Sequence, residues 1–213
     1  GILYAVKGTR YDLAGGAGSY HEARRQQSEL SLGGPGIPLG PSNRETVHHN
    51  TGFAYANLRP LDWATVHLGA AYARLRADGA ESAERVSGKG GVTFRPTPAT
   101  ALRVAVFQGV KGPKYLDQTV EPTQFAGFNQ VFDDLDGTRW RRTAIGLDHR
   151  FGNGVATGVE WSRRTLEVPS IGCGLAAACR ADWRERLHGA HVVVPFGKDV
   201  ALSLAWRYEG LRL

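Results

Sequence analysis

The chain has 213 residues, 42% of them hydrophobic and 22% charged, with 28 Gly and 10 Pro. Its aromatic content (5 Trp, 7 Tyr and 8 Phe) excludes a disordered polymer. No apolar run approaches the ~20 residues that a membrane-crossing helix needs. The 26 Lys and Arg against 20 Asp and Glu give a net charge of +6. The basic residues are spread along the chain rather than clustered on a helix, so no nucleic-acid partner is expected.

The opening run Gly1-Ile2-Leu3-Tyr4-Ala5-Val6 reads as mid-strand, and the sequence holds no Met and no signal-peptide pattern. A mature or truncated segment of a longer protein is expected. Beyond it, alternation with a period of two recurs where helical periodicity does not. Val66, Leu68, Ala70 and Tyr72 alternate with Thr65, His67, Gly69 and Ala71. Val86, Gly88, Gly90, Val92 and Phe94 alternate with Arg85, Ser87, Lys89, Gly91, Thr93 and Arg95. Near the end, Val200, Leu202, Leu204, Trp206 and Tyr208 alternate with Ala201, Ser203, Ala205, Arg207 and Glu209.

About nine strands follow from this reading, near 1–10, 46–59, 63–76, 84–95, 99–111, 138–151, 155–167, 182–195 and 199–211. Most exceed the ~5–6 residues of soluble strands and suit the ~9–11 of a tilted membrane strand. Short turns are expected at Arg59-Pro60-Leu61-Asp62, Pro96-Thr97-Pro98, Gly152-Asn153-Gly154 and Pro195-Phe196-Gly197-Lys198-Asp199. Long connections are expected at 11–45, 112–137 and 168–181, with a shorter one at 77–83. Short and long alternate, which gives an up-and-down barrel one rim of tight turns and one of long loops, as in outer-membrane barrels.

The predicted fold class is therefore all-β: an antiparallel up-and-down transmembrane β-barrel, with residues 1–213 forming one outer-membrane barrel domain. Nine is odd where single-chain bacterial barrels are even, and strand 199–211 ends on the long-loop rim. The covered stretch is expected to be part of a larger barrel, incomplete at one or both ends, because lipid does not tolerate open sheet edges.

Apolar stripes then face the lipid bilayer: Val66, Leu68, Tyr72, Val92, Phe94, Leu102, Val104, Val106, Ile145, Leu147, Phe151, Val159, Trp161, Leu202, Leu204 and Trp206. Trp63, Phe94 and Phe151 sit beside short turns, where an interfacial aromatic girdle belongs. The opposite stripes are basic, and a basic lumen is expected from Arg85, Lys89, Arg95, Arg103, Lys111, Arg142, Arg150, Arg164, Arg184, Arg186 and Arg207. Only Asp148, Glu160 and Glu209 oppose them. Such a lumen favours anionic solutes or a polysaccharide, unless the Arg side chains pair with those carboxylates and rigidify the barrel instead. Strand 182–195 is ambiguous, because Val192, Val193 and Val194 run through both faces. Arg139, Arg141 and Arg163 fall on the outward parity near the long-loop rim, where they suit lipopolysaccharide phosphates or simply snorkel into water.

Little catalytic chemistry is legible. Asp133-Asp134-Leu135-Asp136-Gly137-Thr138 has the oxygen density for a hard cation but lacks a later Glu and reads first as a turn. Gly88-Lys89-Gly90-Gly91 lies within an alternating strand, so it is no phosphate loop. His48 and His49 are adjacent and point to opposite faces of a strand, which suits a shared metal poorly. His188 and His191 have no evident Ser or Cys nucleophile. Cys173 and Cys179, in a Gly/Ala-rich stretch, are compatible with a small disulfide in an oxidising compartment and have no zinc spacing. No enzymatic activity, metal or cofactor is expected.

The run Val120-Glu121-Pro122-Thr123-Gln124-Phe125-Ala126-Gly127-Phe128-Asn129-Gln130-Val131-Phe132-Asp133-Asp134-Leu135-Asp136-Gly137-Thr138, with Ile145-Gly146-Leu147-Asp148-His149-Arg150-Phe151 after it, resembles the C-terminal β-barrel region of large Gram-negative outer-membrane proteins that carry periplasmic tetratricopeptide repeats. The similarity is concentrated in residues 115–170. It implies a layout like that of exopolysaccharide-export porins, with any repeat scaffold outside this chain. The expected function is an outer-membrane channel or exporter; a gated receptor-type barrel and a soluble β-rich binding module are the alternatives.

Overall fold

The structure is a computed structural model and describes residues 1–26, 29–30, 37–38, 43–77, 83–112, 121–130, 133–169, 180–197 and 199–213. Ten strands, nine of them of 11 residues or more, form one sheet: β1 (Ile2–Lys7), β2 (Tyr11–Gln26), β5 (Asn43–Leu61), β6 (Ala64–Ala77), β7 (Ala83–Thr97), β8 (Thr100–Val110), β11 (Arg139–Arg150), β12 (Ala156–Pro169), β13 (Arg180–Phe196) and β14 (Val200–Arg212). Two short hairpins form separate two-stranded sheets, β3 (Glu29–Leu30) with β4 (Ile37–Pro38) and β9 (Gln124–Phe125) with β10 (Phe128–Asn129). The ten strands pair with their sequence neighbours throughout, all antiparallel, in the order β1-β2-β5-β6-β7-β8-β11-β12-β13-β14. Among the described residues the sheet does not close, since β1 and β14 each have one partner.

This is the up-and-down meander that the alternation predicts, with one correction. The sheet has ten strands, not nine, because β2 fills much of the expected 11–45 connection. Its middle, Ala14-Gly15-Gly16-Ala17-Gly18, is too small to show an apolar stripe. Those small residues are what the packing requires. Gly16 lies opposite Phe53 of β5, and a Cβ there would stand 2.8 Å from the Ile2 carbonyl oxygen and 2.8 Å from the Phe53 ring. The connection after β1 is a tight turn in which the Gly8 amide donates to the Tyr11 carbonyl at 2.7 Å, so short and long connections still alternate. At the 151–155 turn the predicted Asn-Gly pair is used: Gly154 adopts φ +86°, and the Asn153 side chain accepts from the Val155 amide at 3.1 Å.

The strands are tall. β5 has 19 residues and β13 has 17, so β5 extends about 60 Å along its own axis, well beyond the ~25 Å apolar band of an outer-membrane barrel. The outward stripes Leu102, Val104, Ile145, Leu147, Val159, Trp161, Leu202, Leu204 and Trp206 are exposed side by side. No second protein layer covers them among the described residues, which excludes a sandwich core. Trp63 and Phe94 meet edge-on at the short-turn rim, their ring centroids 5.3 Å apart.

Placing Val at Gly16 forces the bulk against backbone, where it cannot be relieved by a rotamer change. In the full-length protein folded in detergent, Gly16→Val is expected to cost about 1–3 kcal/mol, read as a lower midpoint in urea unfolding. Gly88→Ala, which has nothing within 4 Å of the added methyl, leaves that midpoint unchanged or raises it.

Candidate functional site

In the long connection after β8, the described residues 121–130 and 133–138 lie on one face of the sheet, termed the inner face, and bury the Phe125-Ala126-Gly127-Phe128 hairpin against it. The hairpin turn is built from two residues with positive φ, Ala126 at +50° and Gly127 at +79°, the backbone of a two-residue turn that matches strand twist. Left-handed backbone is costly for Ala, and here it points the tip into the wall.

The wall is shaped to receive it. Phe107 of β8 and Phe128 of the hairpin are both 0% exposed. Phe107 lies 5.7 Å from Phe125 and 5.7 Å, edge-on, from Trp140 between ring centroids. Three inward glycines provide the space. A Cβ at Gly91 would stand 3.0 Å from the Ala126 methyl, one at Gly69 3.3 Å from Phe125, and one at Gly146 3.3 Å from Phe128. Ala105, Ala144, Leu166 and Val168 complete this apolar seat.

Four of the predicted lumen cations surround the seat, each reaching both the wall and the folded-in segment. Lys89 donates to Gln130 Oε1 at 2.6 Å and to the Tyr55 hydroxyl at 2.7 Å, and pairs with Glu121. Arg103 pairs with Asp148 at 2.7 Å, donates to the Gly127 carbonyl at 2.7 Å, and stacks over the Phe128 ring at 4.7 Å. Arg142, 3% exposed, donates to the Asn129 carbonyl at 2.6 Å and to Ser162 Oγ at 2.8 Å, and pairs with Glu160. Arg164 holds Glu185 at 2.6 Å and clasps Asp134 with both terminal nitrogens, at 2.8 and 2.9 Å. Buried charges of this kind persist only when paired and hydrogen-bonded, and Asp148 and Glu160 supply two of the counter-charges.

The remaining predicted positions divide. Arg85 donates to Gln108 at 2.9 Å, and Arg95 reaches Thr65 Oγ1 at 3.4 Å. Lys111 is half-buried where the segment leaves β8, and Arg150 is exposed near the short-turn rim. Arg207 lies opposite Gly189 and Glu209 opposite Leu187 on the edge strand. Arg184 and Arg186 are corrected: they stand on the outer face. Their β13 neighbours Glu185 and Leu187 are buried inward, while Arg184 and Arg186 are exposed. Cys173 and Cys179 lie outside the described residues. Asp134 of the acidic run is an ion-pair partner, Gly137 turns the chain at φ +81°, and no three-ligand metal cluster forms among the described residues. His48 and His49 do face opposite ways, His49 buried inward and His48 outward with its Nδ1 3.1 Å from that of His21.

The hairpin seat was not legible as a site. The available signal was a set of glycines (69, 91 and 146) on inward positions of three strands, where a membrane barrel would otherwise carry polar side chains.

No family model and no curated protein matches the chain. Solved structures do. The FrpB iron transporter from Neisseria meningitidis (F3-3 variant) superposes with a TM-score of 0.66 at 14% identity, covering 99% of this chain and 34% of that one. The FpvAI–pyocin S2 complex gives a TM-score of 0.65 at 8% identity, covering 99% of this chain and 32% of the other. The chain thus spans about a third of the length of these structures. Both are outer-membrane β-barrel proteins, and the fold here is the wall of such a barrel.

Truncating the hairpin anchor tests the seat. Phe128→Ala removes a fully buried ring at a cost of about 3–5 kcal/mol. Limited proteolysis of the full-length protein is expected to cut within 121–138 much faster in this variant, while the strands stay protected. Equal cleavage rates would mean that the ring does not hold the segment.

Proposed function

We propose that this chain is wall from a receptor-type transport barrel in the Gram-negative outer membrane, with the 121–138 segment holding its inner face closed. One observation carries the reading: the cations expected to line an open anion path are bound to the segment that covers them. Lys89, Arg103, Arg142 and Arg164 each hold a group of that segment. Their charge is matched locally by Glu121, Asp148, Glu160, Asp134 and Glu185. A passive channel or polymer exporter needs a wet, charged lining, whereas a receptor that admits cargo only on a conformational change suits a closed one.

The structural likeness to FrpB and FpvAI supports the same choice over the exporter. It makes an iron-bearing solute the first cargo to test, since FrpB is an iron transporter. In this reading, transport requires the hairpin to leave its seat or to shift along it, breaking the four cation contacts together.

Planar-bilayer recording on the full-length protein decides between a closed receptor and an open channel. The intact barrel is expected to show no steady conductance. Replacing residues 122–130 by a Gly-Ser linker is expected to raise it by roughly tenfold or more as the inner face opens. A steady anion-selective conductance with the hairpin in place would overturn the receptor reading and restore the channel.

A further inference from the structure

The strand register places a second basic group on the outer face, away from the hairpin. Arg163 of β12 lies directly opposite Arg186 of β13, and Arg184 of β13 lies opposite Arg212 of β14. Arg141 of β11 stands in the same cross-strand row as Arg184, with Thr165 between them. All five are exposed, and none makes an ion pair among the described residues. The nearest outward carboxylates, Glu167 and Asp182, face each other one row further toward the long loops, where Glu167 lies 3.7 Å from Arg139. Like charges set directly opposite across a sheet repel. Two such pairs in adjacent rows therefore call for an external counter-anion.

The position specifies which anion. The next row toward the short-turn rim is Ile145, Trp161, His188 and Tyr208, with Trp161 42% and Tyr208 51% exposed. Beyond it come Leu147, Val159, Ala190 and Trp206, then His149, Thr157, Val192 and Leu204, and on the last two strands the apolar pairs Val194–Leu202 and Phe196–Val200. Aromatic rows of this kind sit at the boundary between hydrocarbon and headgroups. The Arg rows thus begin where acyl chains end, on the rim that carries the long loops, which in outer-membrane barrels is the external one.

We propose that Arg141, Arg163, Arg184, Arg186 and Arg212 form a binding site for the phosphates of lipopolysaccharide in the outer leaflet. Guanidinium forks take phosphate oxygens two at a time, and the aromatic row beneath supports the first carbons of the acyl chains. The inference rests on the outer-membrane reading of this sheet, and the two fail differently. A protein that is monodisperse without detergent refutes the membrane reading, whereas a detergent-requiring barrel that ignores lipopolysaccharide refutes only the site.

The test is titration of the full-length protein in detergent micelles with lipopolysaccharide, followed by native mass spectrometry and by the thermal midpoint. Binding that raises the midpoint is expected, with affinity falling about tenfold or more in R163Q/R186Q. R163K/R186K is expected to retain part of it. Arg150→Gln, on the inner parity near the opposite rim, serves as the unaffected control. Enzymatically dephosphorylated lipopolysaccharide is expected to bind no better than the double variant. Inorganic phosphate at millimolar concentration is expected to leave the midpoint unmoved. Unchanged affinity in R163Q/R186Q, equal binding of the dephosphorylated lipid, or a full effect from inorganic phosphate would each overturn the proposal. If the double variant does not fold, R184Q and the dephosphorylated lipid decide in its place.

Discussion

Hydrocarbon offers no hydrogen bonds, so every amide and carbonyl that enters it must already be paired. That constraint organises this chain more than any side-chain contact. It explains why the strands pair only with sequence neighbours in an unbroken antiparallel meander, and why they are long. It also explains why register irregularities, at Leu58/Leu61 and Phe94/Thr97, are confined to the short-turn ends. Once pairing is fixed, side chains on one surface are free to be greasy and those on the other are free to be chemical.

The chemical side is used in a way that a simple greasy-out, polar-in rule does not anticipate. Within the apolar band the outer face carries Leu102, Leu147, Val159 and Leu204. Nearer the long loops the pattern reverses. Val47, Leu75, Trp140, Leu166, Val168 and Leu187 turn inward and are buried, while Arg74, Arg76, Arg141, Arg163 and Arg186 turn outward. The reversal has a physical cause. Above the hydrocarbon the outer surface meets water and headgroups, and the inner surface is dried by the segment packed on it. The most deeply buried cations of the inner wall, Lys89, Arg142 and Arg164, each have a carboxylate within reach.

Most of the architecture was legible in the sequence, because period-two alternation and turn chemistry survive without tertiary information. Nine of the ten strands of the sheet and the alternation of short and long connections follow from apolar stripes such as Val66–Leu68 and Val104–Val106 and from turn signals such as Asn153–Gly154. β2 was illegible because Gly15, Gly16 and Gly18 erase the stripe that marks a strand. Arg184 and Arg186 stand on the face opposite to the expected one because the Val192–Val194 run hides the parity of β13, and because the polarity rule inverts above the lipid. The clasp was illegible for a different reason. Glu121 is 32 residues from Lys89 and Asp134 is 30 from Arg164, separations at which no local pattern announces a partner.

The glycine seat ties the fate of three strands to that of one loop. Because Gly69, Gly91 and Gly146 leave hollows matched to Phe125, Ala126 and Phe128, this loop is not a free appendage that evolution or an engineer can exchange independently. A graft of residues 121–138 onto another barrel carries its shape only if the three hollows travel with it. A bulkier tip installed here has nowhere to go. Connecting loops ordinarily vary more freely than the strands they join; this one is held to the wall by the geometry of its own socket.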